Sequence, residues 1–200
     1  VVASNTDLSF AADDKINFNI VATKPDNDKR NVKFGLITSG SGNVISDLFS
    51  DDTYTGTYDN EKWTLAFRLR PTKYPLADFV DDTLLDPSSA YTYEFYGVNY
   101  LSNILQNEFV VSGTMSLANA AKFFASNKRV FVGAARNDFI GEPTLYSDVK
   151  VSSTRMWYSY LDDETIRAHA RDASSFGTLN PYRNSNVAFS NDQLFKFSIP

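Results

Sequence analysis

The chain has 200 residues, 42% of them apolar, with 16 Phe, 11 Tyr and 2 Trp, and its 19 basic and 24 acidic side chains leave a net charge of −5. It contains no cysteine and a single histidine, His169. Disulfide frameworks, thiolate metal sites and cysteine nucleophiles are therefore excluded, and any Ser-His-Asp triad would need that one imidazole.

In chain order, Lys15–Ala22 places Ile16, Phe18, Ile20 and Ala22 on one side of an extended chain and Asn17 and Asn19 on the other, so a strand with a core-facing apolar side is expected. Val32–Thr38 is the next predicted strand, followed by a Gly/Ser/Asn loop over Thr38–Asn43 and a second loop over Asp51–Asn60. The clearest period-two pattern is Trp63–Arg70, where Trp63, Leu65, Phe67 and Leu69 alternate with Thr64, Ala66, Arg68 and Arg70 before Pro71. Strands are also expected at Tyr91–Tyr100, Glu108–Thr114, Arg129–Ala135, Val149–Tyr158 and Gln193–Ser198, with a loop at Arg136–Pro143. Two segments read as helix. Ser116–Ala125 is one, and the other begins after Leu161, with acids Asp162, Asp163 and Glu164 in its first turn, Ile166, Ala170 and Ala173 at helical spacing, and Gly177 near its end. So many half-buried strands predict an all-β fold of two packed antiparallel sheets with one short helix near the C-terminal end.

The acidic balance supplies no positive field for a phosphate backbone, so nucleic acid is not an expected partner. No run approaches the ~20 apolar residues of a membrane-spanning helix, so membrane insertion is not expected. The start on Val1 rather than Met, and the close on Phe197-Ser198-Ile199-Pro200, suggest a piece of a longer protein. Lack of cysteine suits assembly in a reducing cytoplasm. The stretch Asn186–Pro200 loosely echoes Leu8–Ile20, so it is either a last strand of this unit or the first of a following one.

The segments Arg129-Val130-Phe131-Val132-Gly133-Ala134, Phe139-Ile140-Gly141, Ser147-Asp148-Val149-Lys150-Val151, Arg155-Met156-Trp157 and Leu161-Asp162-Asp163-Glu164-Thr165-Ile166 follow one another in a characteristic order. Their order and spacing resemble the late part of laminin-G-like, concanavalin A-like jelly rolls, and Trp63–Pro71 resembles an earlier strand of the same family. The resemblance covers residues 8–178. It implies a jelly-roll β-sandwich over residues 1–178, with 179–200 forming a linker plus a final strand or the start of another unit. The Asp-Asp-Glu-Thr-Ile helix running into His169-Ala170-Arg171-Asp172 is similar to domains of tailed-bacteriophage structural proteins, which implies a location in the virion. Partners would then be other structural-protein subunits or neighbouring domains. The family also implies a calcium ion at a sandwich edge, for which Asn137, Asp138 and Asp148 stand in matching positions.

Glycosidases occur on this fold too, but they need two carboxylates facing each other across the scissile bond. The acidic clusters here, Asp78, Asp81 and Asp82 and then Asp162, Asp163 and Glu164, read as solvated loop and helix-start acids. His169 has no Gly-x-Ser-x-Gly partner and reads as a packed residue, as do Trp63 and Trp157. No catalytic or cofactor-binding residues are therefore assigned. In the run Tyr91, Tyr93, Phe95, Tyr96 and Tyr100, rings fall on both sides of one strand. Either both sides are buried or one is an interface, and Tyr96 and Tyr100 are expected to face a neighbour. The expected function is a non-catalytic module of a virion structural protein acting through protein contacts or surface recognition. The alternative is a carbohydrate-binding, calcium-dependent module of cell-surface glycans, with Tyr54, Tyr58 and Phe139 as the loop aromatics. Glycoside hydrolysis is the weakest reading, resting on fold analogy alone.

Overall fold

The computed structural model describes residues 2–5, 16–25, 30–39, 44–57, 61–72, 90–125, 127–136, 143–146, 150–157, 160–172, 174–175 and 195–199. These residues are mostly β. A first antiparallel sheet is built from β1 (Val2–Asn5), β2 (Ile16–Thr23), β3 (Asn31–Ser39), β4 (Leu48–Phe49), β5 (Tyr54–Thr55) and β9 (Asn127–Val130). Its order is β4-β3-β2-β1-β9, with β5 also paired to β3. The second sheet is an antiparallel meander of β6 (Trp63–Pro71), β7 (Tyr91–Leu101) and β8 (Ile104–Met115). Two helices, α1 (Leu117–Ala125) and α2 (Asp163–Arg171), and two further strand pairs complete the described residues. Those pairs are β10 (Ala134–Arg136) with β11 (Pro143–Tyr146) and β12 (Thr154–Trp157) with β13 (Phe195–Ile199).

Alternation decides how the two sheets meet. Trp63, Leu65, Phe67 and Leu69 of β6 pack on the same core as Tyr93 and Phe95 of β7 and Phe109, Val111 and Met115 of β8. Opposite them stand Phe18 of β2 and Val32, Phe34 and Leu36 of β3. The rings interlock across the gap, Phe34 lying 4.6 Å from Trp63 and 5.8 Å from Phe109, and Phe18 4.7 Å from Phe67. Helix α1 adds Ala120 and Phe123, the latter 5.9 Å from Phe67. Its first turn is closed by the Ser116 hydroxyl, which accepts from the Asn119 N–H.

Two glycines make room for this packing. A side chain at Gly97 would run into the Phe109 ring directly across the ladder, and one at Gly113 would run into the Tyr93 ring opposite it. The Tyr93 hydroxyl, carried past Gly113, accepts from the Ser46 N–H at 2.8 Å and ties the segment before β4 to the second sheet.

The Trp63–Arg70 expectation holds, and Pro71 remains in register opposite Tyr91 as the last residue of an edge strand, where a missing N–H is tolerated. Other expectations change. Among the β2 side chains that are described, Phe18 turns into the core, while Ile20 is 37% exposed and Ala22 is exposed. Arg129–Ala135 is two short strands, β9 and β10, broken at Gly133, whose φ of +80° suits glycine alone. Of the strand expected over Val149–Tyr158, the described residues show strand at Thr154–Trp157, and Tyr54–Thr55, expected as loop, pairs with β3. Both helices form where helical spacing was read, Ser116–Ala125 among them.

Candidate functional site

The second sheet has a second covered side. Thr64, Ala66, Arg68 and Arg70 of β6 lie opposite Val98, Tyr96, Glu94 and Thr92 of β7, and this side is roofed by α2. Asp162 caps the helix, its carboxylate accepting from the Thr165 N–H at 2.9 Å. With the first turn fixed, Leu161, Ile166 and Ala170 press on Tyr96 and Val98. His169 is buried and lies flat against Trp157, ring centres 5.1 Å apart.

Charges sit inside this layer. Arg68 and Glu94, directly opposite in the ladder, are both buried and paired at 2.8 Å. Arg68 also reaches Asp163 at 2.6 Å and the Leu161 carbonyl at 3.1 Å, so one guanidinium spans from the sheet to the start of α2. Its charge is further met by the Tyr96 and Tyr160 ring faces, 4.7 and 5.1 Å from the guanidinium carbon. Glu94 is saturated, with Oε1 accepting from Arg70 at 2.9 Å and Oε2 from the Tyr160 hydroxyl at 2.8 Å as well as from Arg68. Burial above all, then the Glu94 charge and hydrogen bond, push the Tyr160 phenol above its ordinary value, so it stays a neutral donor.

A second knot lies beside the first. Glu108 of β8 accepts two hydrogen bonds from Arg167 of α2, at 2.8 and 2.7 Å, and one from the Tyr96 hydroxyl. Burial by itself would raise the Glu108 carboxyl, but the Arg167 and Tyr96 hydrogen bonds outweigh it and hold the group below its usual range. Tyr96 is raised by burial first and by Glu108 next, and Arg167 by the Glu108 hydrogen bond. Glu94 and Glu108 are thus occupied by fixed donors, and through Arg68 and Arg167 they tie α2 to the sheet.

The exposed feature of the same sheet is the β7–β8 turn. Leu101 pairs with Ile104, and Ser102 and Asn103 between them have φ of +50° and +65°, which is a two-residue hairpin of the mirror-image type that matches strand twist. The turn holds Leu101, Ile104 and Leu105 outward, at 59%, 65% and 42% exposure. Beside it, Asn103 and the α2 end residues Ala168, Arg171, Asp172 and Ser175 line an open cleft of 510 Å³. The Arg171 guanidinium stands 5.7 Å above the Tyr100 ring, joining hairpin and helix.

The expected site residues are placed as follows. Tyr54 and Tyr96 are buried: Tyr54 stacks in the aromatic core, 4.8 Å from Trp63, and Tyr96 lies under α2, so neither ring can meet a partner or a sugar. Burial, with Asp52 and Asp51 nearby, pushes the Tyr54 phenol to about 12. Tyr100 is half-buried at the foot of the hairpin. Tyr58, Phe139, the calcium candidates Asn137, Asp138 and Asp148, and the loop acids Asp78, Asp81 and Asp82 lie outside the described residues. Among the described residues no cluster of three metal-binding side chains is found, and no helix is long and apolar enough to cross a membrane. Sequence reasoning missed the ion network. The available signal was Glu94 standing alone in the aromatic run Tyr91–Tyr100 and Arg68 at a strand centre, since such charges survive burial only when paired.

Comparison with protein-family models, with curated proteins and with solved structures found no match.

Proposed function

We propose that this chain is a non-catalytic β-sandwich module that works by protein–protein contact, in the setting of a virion structural protein, with a jelly-roll path for the chain as a whole. The observation that carries the contact is the hairpin apex. Leu101, Ile104 and Leu105 are adjacent, outward and held on a rigid two-residue turn, an arrangement that costs solubility unless another surface covers it. The saturated carboxylates under α2 support the non-catalytic half of the reading. The virion setting draws its support from the resemblance of the Leu161–Asp172 segment to phage structural domains.

The test is incorporation of the parent protein into assembled particles. Replacement of Leu101, Ile104 and Leu105 together by serine is expected to leave the far-ultraviolet circular dichroism of the module unchanged and to lower incorporation at least tenfold. Particles that take up the variant as well as the native protein, or a native protein never found in particles, would reject the reading.

A further inference from the structure

The aromatic core ends on a polar rung. In the second sheet Gly97 lies between Leu65 and Phe109, and the next inward-facing rung is Trp63, Asn99 and Asn107. Asn99 is 1% exposed. Its Nδ2 donates to the Lys62 carbonyl at 3.0 Å, so the amide leans towards the start of β6, while its Oδ1 is sealed from solvent and accepts from no group among the described residues. The indole N–H of Trp63, directly across the ladder, is sealed in the same way and donates to no group among the described residues. Two more such atoms stand at this end, Glu61 Oε2, one residue before Lys62, and Thr57 Oγ1. The other Glu61 oxygen lies 3.4 Å from where a side chain at Gly56 would begin, which sets the carboxylate against the residue preceding Thr57. A buried polar atom left unbonded is costly, and folded chains meet the need with another group or with ordered water.

We propose that this corner is a binding site for ordered water, with one molecule bridging the Trp63 indole N–H and Asn99 Oδ1 and a second on Glu61 Oε2 and Thr57 Oγ1. The chemistry of the four atoms chooses the occupant. Trp63 only donates, Asn99 Oδ1 and the Glu61 oxygen only accept, and the Thr57 hydroxyl does either. A cation would face the indole N–H, and an anion would face the carboxylate. Water accepts from the first and donates to the others, and it is small enough to sit between ladder partners whose side chains leave the sheet about 5 Å apart. Asn107, the third member of the rung, is half-buried and marks the side on which the corner meets solvent. The bridge fixes the orientation of the Trp63 ring, whose centre lies 4.6 Å from that of Phe34 and 4.8 Å from that of Tyr54, and it joins the start of β6 to β7. This site goes beyond the protein-contact reading and stands whether or not the hairpin meets a partner.

Crystallography and water NMR of the native chain test the site. Electron density is expected for a water within hydrogen-bond distance of both Trp63 Nε1 and Asn99 Oδ1, and for another on Glu61 Oε2. In solution the Trp63 indole proton, told from that of Trp157 by a Trp157→Phe chain, should give cross-peaks to water of opposite sign in NOE and ROE spectra, the mark of a molecule that is held. The signal should persist when Tyr54→Phe and Thr57→Val are combined, since no neighbouring hydroxyl proton then remains to relay exchange. It should disappear in Asn99→Leu, which removes the acceptor; if that chain does not fold, the native crystal and spectra decide. A protein group bonded to the indole N–H, a cation at the Glu61 carboxylate, a native signal that vanishes with the two hydroxyls, or an undiminished signal in folded Asn99→Leu would overturn the assignment.

Discussion

Tyr93 and Glu94 are consecutive residues of β7, both are buried, and they point into layers of opposite character. On Tyr93's side lies Phe95 among rings from both sheets, a dry region held by shape and area. On Glu94's side lie two arginines, two tyrosine hydroxyls and an aspartate, a region held by direction. Removing apolar area gains free energy wherever the rings pack, whereas burying a charge gains little and fixes geometry only when each partner is in place. The two sides of one strand therefore do different work. The aromatic side holds the sheets together, and the ionic side specifies where α2 sits.

Four substitutions probe that division, from the largest effect to the smallest. Phe95→Ala opens a cavity in the aromatic layer and is expected to cost about 4 kcal/mol in urea unfolding; a loss under about 1 kcal/mol would show that the layer relaxes freely. Arg68→Met leaves Glu94 buried with Arg70 and Tyr160 but without its cross-strand partner, and should cost about 3 kcal/mol. Arg68→Met combined with Glu94→Leu should recover most of that loss, because both buried charges then vanish. If the double substitution is as damaged as the single, the ionic layer contributes stability outright and the division fails. Gly113→Ala drives a methyl into the Tyr93 ring and should cost about 2 kcal/mol, accompanied by loosening of the Ser46 contact in amide exchange.

Glu108→Gln is the gentlest, expected to cost no more than about 1 kcal/mol near neutral pH, because Arg167 is partly exposed and water screens the pair. Its diagnostic is pH. The folded Glu108 carboxyl lies below its ordinary 4.5, so the unfolded chain takes up its proton first as the solution is acidified. The contribution is complete above that pH and drains away as pH falls through the folded value. Stability measured from neutral pH into this acid range should therefore fall less steeply for Glu108→Gln than for the native chain; parallel curves would remove Glu108 from the account.

Much of the scaffold was legible because it depends on neighbours in sequence. The strict alternation of Trp63–Arg70 fixed both a strand and its inward side, and the acids beginning at Asp162 marked the start of α2, with Asp162, read as a first-turn acid, serving as its cap. What could not be read depends on who covers whom. Tyr96 and Tyr93 carry the same kind of ring, and nothing local says that α2, about 65 residues further on, returns to roof one of them. The partners of Arg68 and Arg70 were illegible for the same reason: their acceptor Glu94 and the Asp163 that reaches Arg68 lie on other elements, and pairing across strands leaves no periodic trace. The outward hairpin residues Leu101, Ile104 and Leu105 were hidden because they fall between the expected strands Tyr91–Tyr100 and Glu108–Thr114, and only the mirror-image turn at Ser102-Asn103 brings them together.

Being enclosed from above and below has a consequence for how β7 opens. Its peptide groups from Tyr93 to Val98 can reach deuterated solvent only after one of two unlike coverings has come away. Lifting the helical roof requires breaking ion pairs, which salt and acid assist, while parting the ring-filled gap requires wetting hydrocarbon, which they do not. The same amides would then report two separate doors, and the one that yields first would be chosen by the solution rather than by the chain.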